Sequence, residues 1–183
     1  VGAQPHSAYQ TAFFDGKLKW QIATNWIAQV LFQHGQVLNA GRDDQLRTRG
    51  LLSYHDNYRD TAALQFRGRL GQTRLRWGLS YQFQQEDRQV KRLAPGATSL
   101  QKETISQERV STFGLKVAGE TRVSPRFHLA YGGDLEHDYV LAQSQFRLSP
   151  TADFRATIPT YPGFAQYTSA GGYLLGKIRL LRW

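Results

Sequence analysis

The 183-residue sequence contains no cysteine and no methionine. Without thiols there is no disulfide framework, no cysteine-ligated zinc and no thiol nucleophile. No apolar run approaches the ~18 residues that a transmembrane helix needs. A membrane stays open as a setting, because a strand that faces lipid on one side only averages out as polar. Acidic residues are few, 14 against 23 Lys and Arg, for a net charge of +9. That balance fits nucleic acid, anionic lipid or lipopolysaccharide as partner and selects none of them. What is present excludes disorder: 40% of residues are hydrophobic and 13% aromatic. The length suits one domain. A chain opening on Val1 is expected to be an excerpt or a processed product.

Strict alternation is the strongest pattern. Leu75, Trp77, Leu79, Tyr81 and Phe83 fall on one side of a strand, with Arg74, Arg76, Gly78, Ser80 and Gln82 on the other. Leu64, Phe66, Gly68 and Leu70 repeat it against Gln65, Arg67 and Arg69, and Gly71-Gln72-Thr73 between them reads as a hairpin turn. Similar strands are predicted around Ala12–Trp20, Trp26–Gln33, Thr112–Glu120, Phe127–Glu136 and Ala170–Leu180. That makes seven strands and no helix.

The connections alternate in length. Short links at Gln21–Asn25, Gly71 and Thr121–Pro125 alternate with long polar stretches, about His34–Asp56, Gln85–Arg109 and Tyr139–Thr168. An outer-membrane barrel has this rhythm, with short periplasmic turns and long extracellular loops. Leu75 to Phe83 runs ~30 Å, which a tilt of ~40° brings near the ~25 Å apolar band of such barrels. Trp20, Trp26 and Phe127 near the short turns, and Tyr81, Phe83 and Tyr139 near the far ends, would form two aromatic girdles. The expected fold is therefore all-β: an antiparallel, up-and-down transmembrane β-barrel segment of about seven meandering strands, with residues 1–183 forming part of one barrel domain. A soluble sandwich or lipocalin-like barrel is the competing reading.

Several stretches resemble TonB-dependent outer-membrane receptors. Tyr131-Gly132-Gly133-Asp134-Leu135-Glu136-His137-Asp138-Tyr139-Val140 is similar to a barrel strand of that family leading to a surface loop. Ser124-Pro125 resembles the preceding periplasmic turn, and Tyr161-Pro162-Gly163 with Ser169-Ala170-Gly171-Gly172-Tyr173-Leu174 the return strand. Arg74–Arg88 resembles a strand ending in a charged loop. The resemblance implies a piece of a barrel of about 22 strands, closed by a plug domain and energised by TonB. Its activity would be uptake of a scarce solute such as an iron–siderophore, haem or cobalamin. This sequence shows no plug domain, no Ton box and no clear final strand, although Trp183 is a terminal aromatic. TonB and the plug would act through other parts of the protein.

Leu75, Trp77, Leu79, Tyr81 and Phe83 are expected to face lipid. Arg67, Arg69, Arg74 and Arg76, with Asp134, Glu136 and Asp138, are expected to line the lumen. At the level of Arg67–Arg76 the resemblance implies a plug. The acidic trio reads as a hydrated wall paired with Arg and Lys, or as a contact to substrate or cation. Arg147, Phe154, Arg155, Tyr161 and Phe164 are the candidates for stacking on and charge-pairing with a small-molecule ligand of unknown identity. Glu86, Asp87, Arg88, Lys91 and Arg92 read as a solvated loop near lipopolysaccharide phosphates. Of His6, His34, His55, His128 and His137, none stands in a metal motif, so no metal or other cofactor is expected. His34 and His137 read as interface residues. No GxSxG or clear Ser-His-Asp pattern occurs, and no enzyme is expected. Nucleic acid is not expected either, since no binding module accompanies the basic residues. A porin-like barrel without TonB coupling and an outer-membrane enzyme are the alternatives.

Overall fold

A computed structural model describes residues 9–41, 50–93, 99–159 and 161–178. These form a single antiparallel sheet: β1 (Gln10–Ala23), β2 (Trp26–Gly41), β3 (Leu51–Leu70), β4 (Thr73–Leu93), β5 (Leu100–Arg122), β6 (Phe127–Arg147), β7 (Arg155–Thr157) and β8 (Phe164–Ile178). Each long strand pairs with the next in sequence, and the three-residue β7 and the long β8 both lie against β6. The sheet is open, with β1 and β8 at its edges. It is the up-and-down meander that the alternation predicts, with β7 added. His6, Leu180 and Trp183 lie outside the described residues.

Register gathers most apolar strand positions on one face, with Phe13, Ile27 and Leu31 among the exceptions on the other. A single rung runs Leu18, Val30, Leu64, Leu79, Leu115, Leu135, Ala170 across all seven long strands. The next rung, on the opposite face, runs Lys19, Gln29, Gln65, Gly78, Lys116, Asp134, Gly171. The sheet is one layer thick. Among the described residues the only buried hydrophobic ones are Ala28 and Ala142, while Leu79, Leu115 and Leu135 are exposed. No second layer covers the apolar face, so a sandwich, which packs that face inward, is not the architecture.

The turns at one end are tight. Residues 24–25 and 71–72 close two-residue hairpins, and Gly71 adopts φ 59°, as the first position of a type II′ turn requires. In the third turn the Ser124 hydroxyl accepts N–H bonds from Phe127 at 3.1 Å and Arg126 at 3.3 Å.

At the other end the long loops are mostly strand. β4 continues to Leu93 and β5 begins at Leu100, so Glu86, Asp87, Arg88, Lys91 and Arg92 lie within β4. Likewise β2 reaches Gly41, β3 begins at Leu51, β6 reaches Arg147 and β8 begins at Phe164. The 23 residues of β5 run about 75 Å at ~3.3 Å per residue. Tilted ~40°, they stand about 55 Å high, more than twice a ~25 Å apolar band. Past Phe83, β4 carries polar residues on both faces, Gln85, Asp87 and Gln89 on one and Glu86 and Arg88 on the other, so alternation lapses and such extensions read as loops in the sequence. One irregularity bends the extension of β2. The register with β3 shifts between Val37 and Ala40, where Asn39 takes φ 56° and its N–H donates to the Asp56 carboxylate at 2.6 Å.

Candidate functional site: the polar face

Hollows open on the polar face among the described residues. Near the tight turns, a hollow of about 360 Å³ is framed by Arg67, Arg76 and Lys116, with Gln29 and Gln65 beside them. Arg67 stands directly opposite Arg76, and Arg69 opposite Arg74. The structure thus gathers the four predicted arginines on two rungs. Among the described residues only Arg74 of the four has a close carboxylate, Glu120 at 3.9 Å. Asp134 and Glu136 share the face, with Lys116 Nζ 3.7 Å from Glu136, and Asp138 accepts the Thr112 hydroxyl at 2.6 Å.

Further along the strands lies a hollow of about 470 Å³, whose polar-face lining includes Phe13, Asp15, Gln33, Asn57, Arg59 and Gln84. The Phe13 ring lies over Gly35, where a Cβ would come within 3.1 Å of it. Glycine therefore lets the ring lie flat against the sheet, and the ring is 75% exposed. Arg59 reaches across to the Gln82 amide oxygen at 3.4 Å. A third hollow of about 440 Å³ shares Gln84 and adds Glu86, Glu108, Tyr161 and Tyr167. Glu86 and Glu108 face each other across β4 and β5. The two hollows meeting at Gln84 offer an aromatic face, a guanidinium, carboxylates and phenols along one wall. Such a wall can stack on and hydrogen-bond a polar solute.

Beside this wall Ser53, His55 and Glu86 form a chain: Ser53 Oγ lies 2.8 Å from His55 Nε2, and His55 Nδ1 lies 3.1 Å from Glu86. The sequence offered no Ser-His-acid pattern because Glu86 comes from the next strand. Ser53 is only 2% exposed, which closes its hydroxyl to a substrate, and the chain orients Glu86.

Of the five residues singled out for ligand contact, Arg147 and Phe154 touch each other, and the five do not share one hollow. Tyr161 lines the third hollow. Arg147 instead meets Glu103, with Nε and Nη2 each 2.6 Å from its carboxylate, donates to the Pro150 carbonyl at 2.9 Å and lies over the Phe154 ring at 4.7 Å. Phe164 stands opposite Leu141, and Arg155 opposite Phe146 in the short β7. Glu103, Arg147 and Leu141 have the strand parity of the apolar face. Phe13, Arg59, Glu108 and Tyr167 were missed as site residues. The signal for Phe13 was an aromatic standing among Asp15, Lys17 and Lys19 on the polar parity of β1.

On the apolar face, Leu75, Trp77, Leu79, Tyr81 and Phe83 share one side of β4, and Trp77 stacks on Phe66 at 4.2 Å. Towards the tight turns Trp26 lies over Gly68, Tyr131 over Gly119 and Phe127 over Gly176. At the far side Tyr81, Phe113 and Tyr139 form a chain of ring contacts. His34 pairs with Asp60 at 2.6 Å and His137 with the Thr168 hydroxyl at 2.7 Å, both with the parity of this face.

No protein-family model and no curated protein matches the sequence. A solved structure does match the fold: the ferric yersiniabactin uptake receptor FyuA from Yersinia pestis, with a TM-score of 0.65 and 14% identity over 94% of this chain. The match spans 26% of the FyuA chain. At that identity the likeness is one of fold alone: this chain has the architecture of a segment of an antiparallel β-barrel.

Proposed function

We propose that this chain is part of the barrel wall of a TonB-dependent outer-membrane receptor that imports a scarce solute such as an iron–siderophore, haem or cobalamin. The observation that carries this reading is the meander itself. Its seven long strands put one apolar and one polar face in register across the whole sheet, and 94% of the chain follows an uptake receptor.

In this reading Leu75, Trp77, Leu79, Tyr81 and Phe83 meet lipid, and the girdle rings near Gly68 and Gly119 mark the periplasmic interface. Arg67, Arg69, Arg74, Arg76, Asp134 and Glu136 line a wet lumen. The tall strand ends rise outside the cell through the lipopolysaccharide layer. The hollows around Phe13, Arg59, Gln84, Tyr161 and Tyr167 face incoming solute, and Arg147 and Phe154 brace the wall instead of holding ligand. The plug and the TonB contact belong to other parts of the protein.

Deletion of the gene tests the function, with uptake of labelled ferric siderophores, haem and cobalamin measured in cells with and without TonB. Loss of uptake of one solute, restored by the gene only where TonB is present, is the expected result. Ion conductance with no TonB dependence would identify a porin-like barrel instead. Lipid or peptide hydrolysis by the intact protein would identify an enzyme.

A further inference from the structure

We propose that the hollow framed by Arg67, Arg76 and Lys116 is an anion site that takes a carboxylate group. This rests on the reading above, in which the polar face lines a water-filled lumen.

Arg67 and Arg76 are direct cross-strand partners. Like charges placed opposite each other on a sheet are unfavourable unless something lies between them. Arg69 and Arg74 repeat the arrangement one rung nearer the turn, but there Arg74 has Glu120. Among the described residues no carboxylate lines the hollow, although Asp134 stands opposite Lys116 at its margin. Lys116, on the neighbouring strand, supplies a third cation, and its contact with Glu136 is a long one at 3.7 Å between exposed groups. Such a contact is easily exchanged for a better one.

The floor between these side chains is small. Gly78 separates Gln65 from Lys116 along one rung, and Ala118 follows Arg76 along the next. Long cationic arms around a floor of glycine and alanine leave about 360 Å³ open. Two guanidinium forks match the planar geometry of a carboxylate, and the Gln29 and Gln65 amides add neutral donors. Charge, shape and donor count therefore favour one or more carboxylates, carried by a free solute or by another part of the protein.

The intact receptor in detergent micelles, with citrate as probe, tests this in two arms. Calorimetric binding of citrate to the wild type, weakened tenfold or more in the R67Q/R76Q variant and unchanged in R69Q/R74Q, assigns the site to a free carboxylate. Absence of citrate binding, with a lower melting temperature in R67Q/R76Q whose deficit against the wild type narrows at high salt as the ion pairs are screened, assigns it to a carboxylate of the protein. A variant that binds no citrate differently and melts at or above the wild type overturns the proposal, because neutralising two facing charges in an empty hollow only relieves repulsion. A drop in melting temperature that ignores salt overturns it too. A nitroxide label at Gln65 reads the orientation separately: contact with lipid in place of water would overturn the lumen reading whatever citrate does.

Discussion

The Glu103 carboxylate, 1% exposed, is held by Arg147 through two contacts of 2.6 Å, with the Gln89 amide at 2.5 Å and Lys91 at 3.8 Å. These groups come from β4, β5 and β6, so one buried acid ties together three strands beyond their alternating apolar stretch. Truncating one partner of a buried pair leaves an uncompensated charge and costs about 3–5 kcal/mol. Arg147→Ala should lose stability on that scale, discounted for the help Lys91 gives. Urea unfolding of the intact protein in micelles measures it. The E103L/R147M double variant should recover most of the loss, because two apolar groups can replace a buried pair.

The two faces of β4 should respond oppositely to charge. Arg at Leu79 should destabilise the inserted protein by ~2–4 kcal/mol if the position is near the bilayer midplane, while Arg at Ser80 should cost little. Reversible folding into lipid vesicles gives both values, and equal responses at the two positions would contradict the facing.

Much of this was legible in the sequence, and the limit is physical. Where one face is apolar, as from Leu75 to Phe83, the period of two is forced by the environment and can be read directly. From Gln84 to Leu93 the same strand runs on through Glu86, Asp87 and Arg88. With water on both sides, polar residues suit either face and the period vanishes. The candidate site suffered in the same way. Arg147 and Phe154 read as ligand contacts because aromatic and basic residues alternate there. Only the pairing of β5 with β6 brings Glu103 opposite Arg147. Glu86 and Glu108 are far apart in the chain, and only the β4–β5 register makes them face each other.

The aromatic rings near the tight turns depend on bare neighbours. A Cβ at Gly68 would collide with the Trp26 indole. Gly68→Val should therefore push the ring off the sheet and cost ~1–3 kcal/mol, as other small-to-large changes in packed sites do. A shift in tryptophan emission together with lower stability is the expected signature, and unchanged emission would mean the ring does not rest there.

Sidedness follows from the connections. In the proposed reading the turns at Gly71 and Ser124 face the periplasm and the connection containing Pro159 lies outside. An epitope tag inserted at Pro159 of the intact protein should bind antibody on whole cells, and one at Gln72 only after the outer membrane is opened. Reversed labelling would invert the topology.

The central claim is that one face of this sheet meets hydrocarbon and the other water. This stretch has no cysteine of its own, so once any cysteine elsewhere in the intact protein is replaced, single cysteines introduced from Leu75 to Gln84 can carry a nitroxide label in the protein reconstituted into vesicles. Collision with oxygen, which concentrates in lipid, and with a water-soluble nickel chelate should then alternate residue by residue. Oxygen should dominate at 75, 77, 79, 81 and 83, and the chelate at 76, 78, 80, 82 and 84. A flat profile, or odd positions shielded from both probes as in a protein core, would contradict the account.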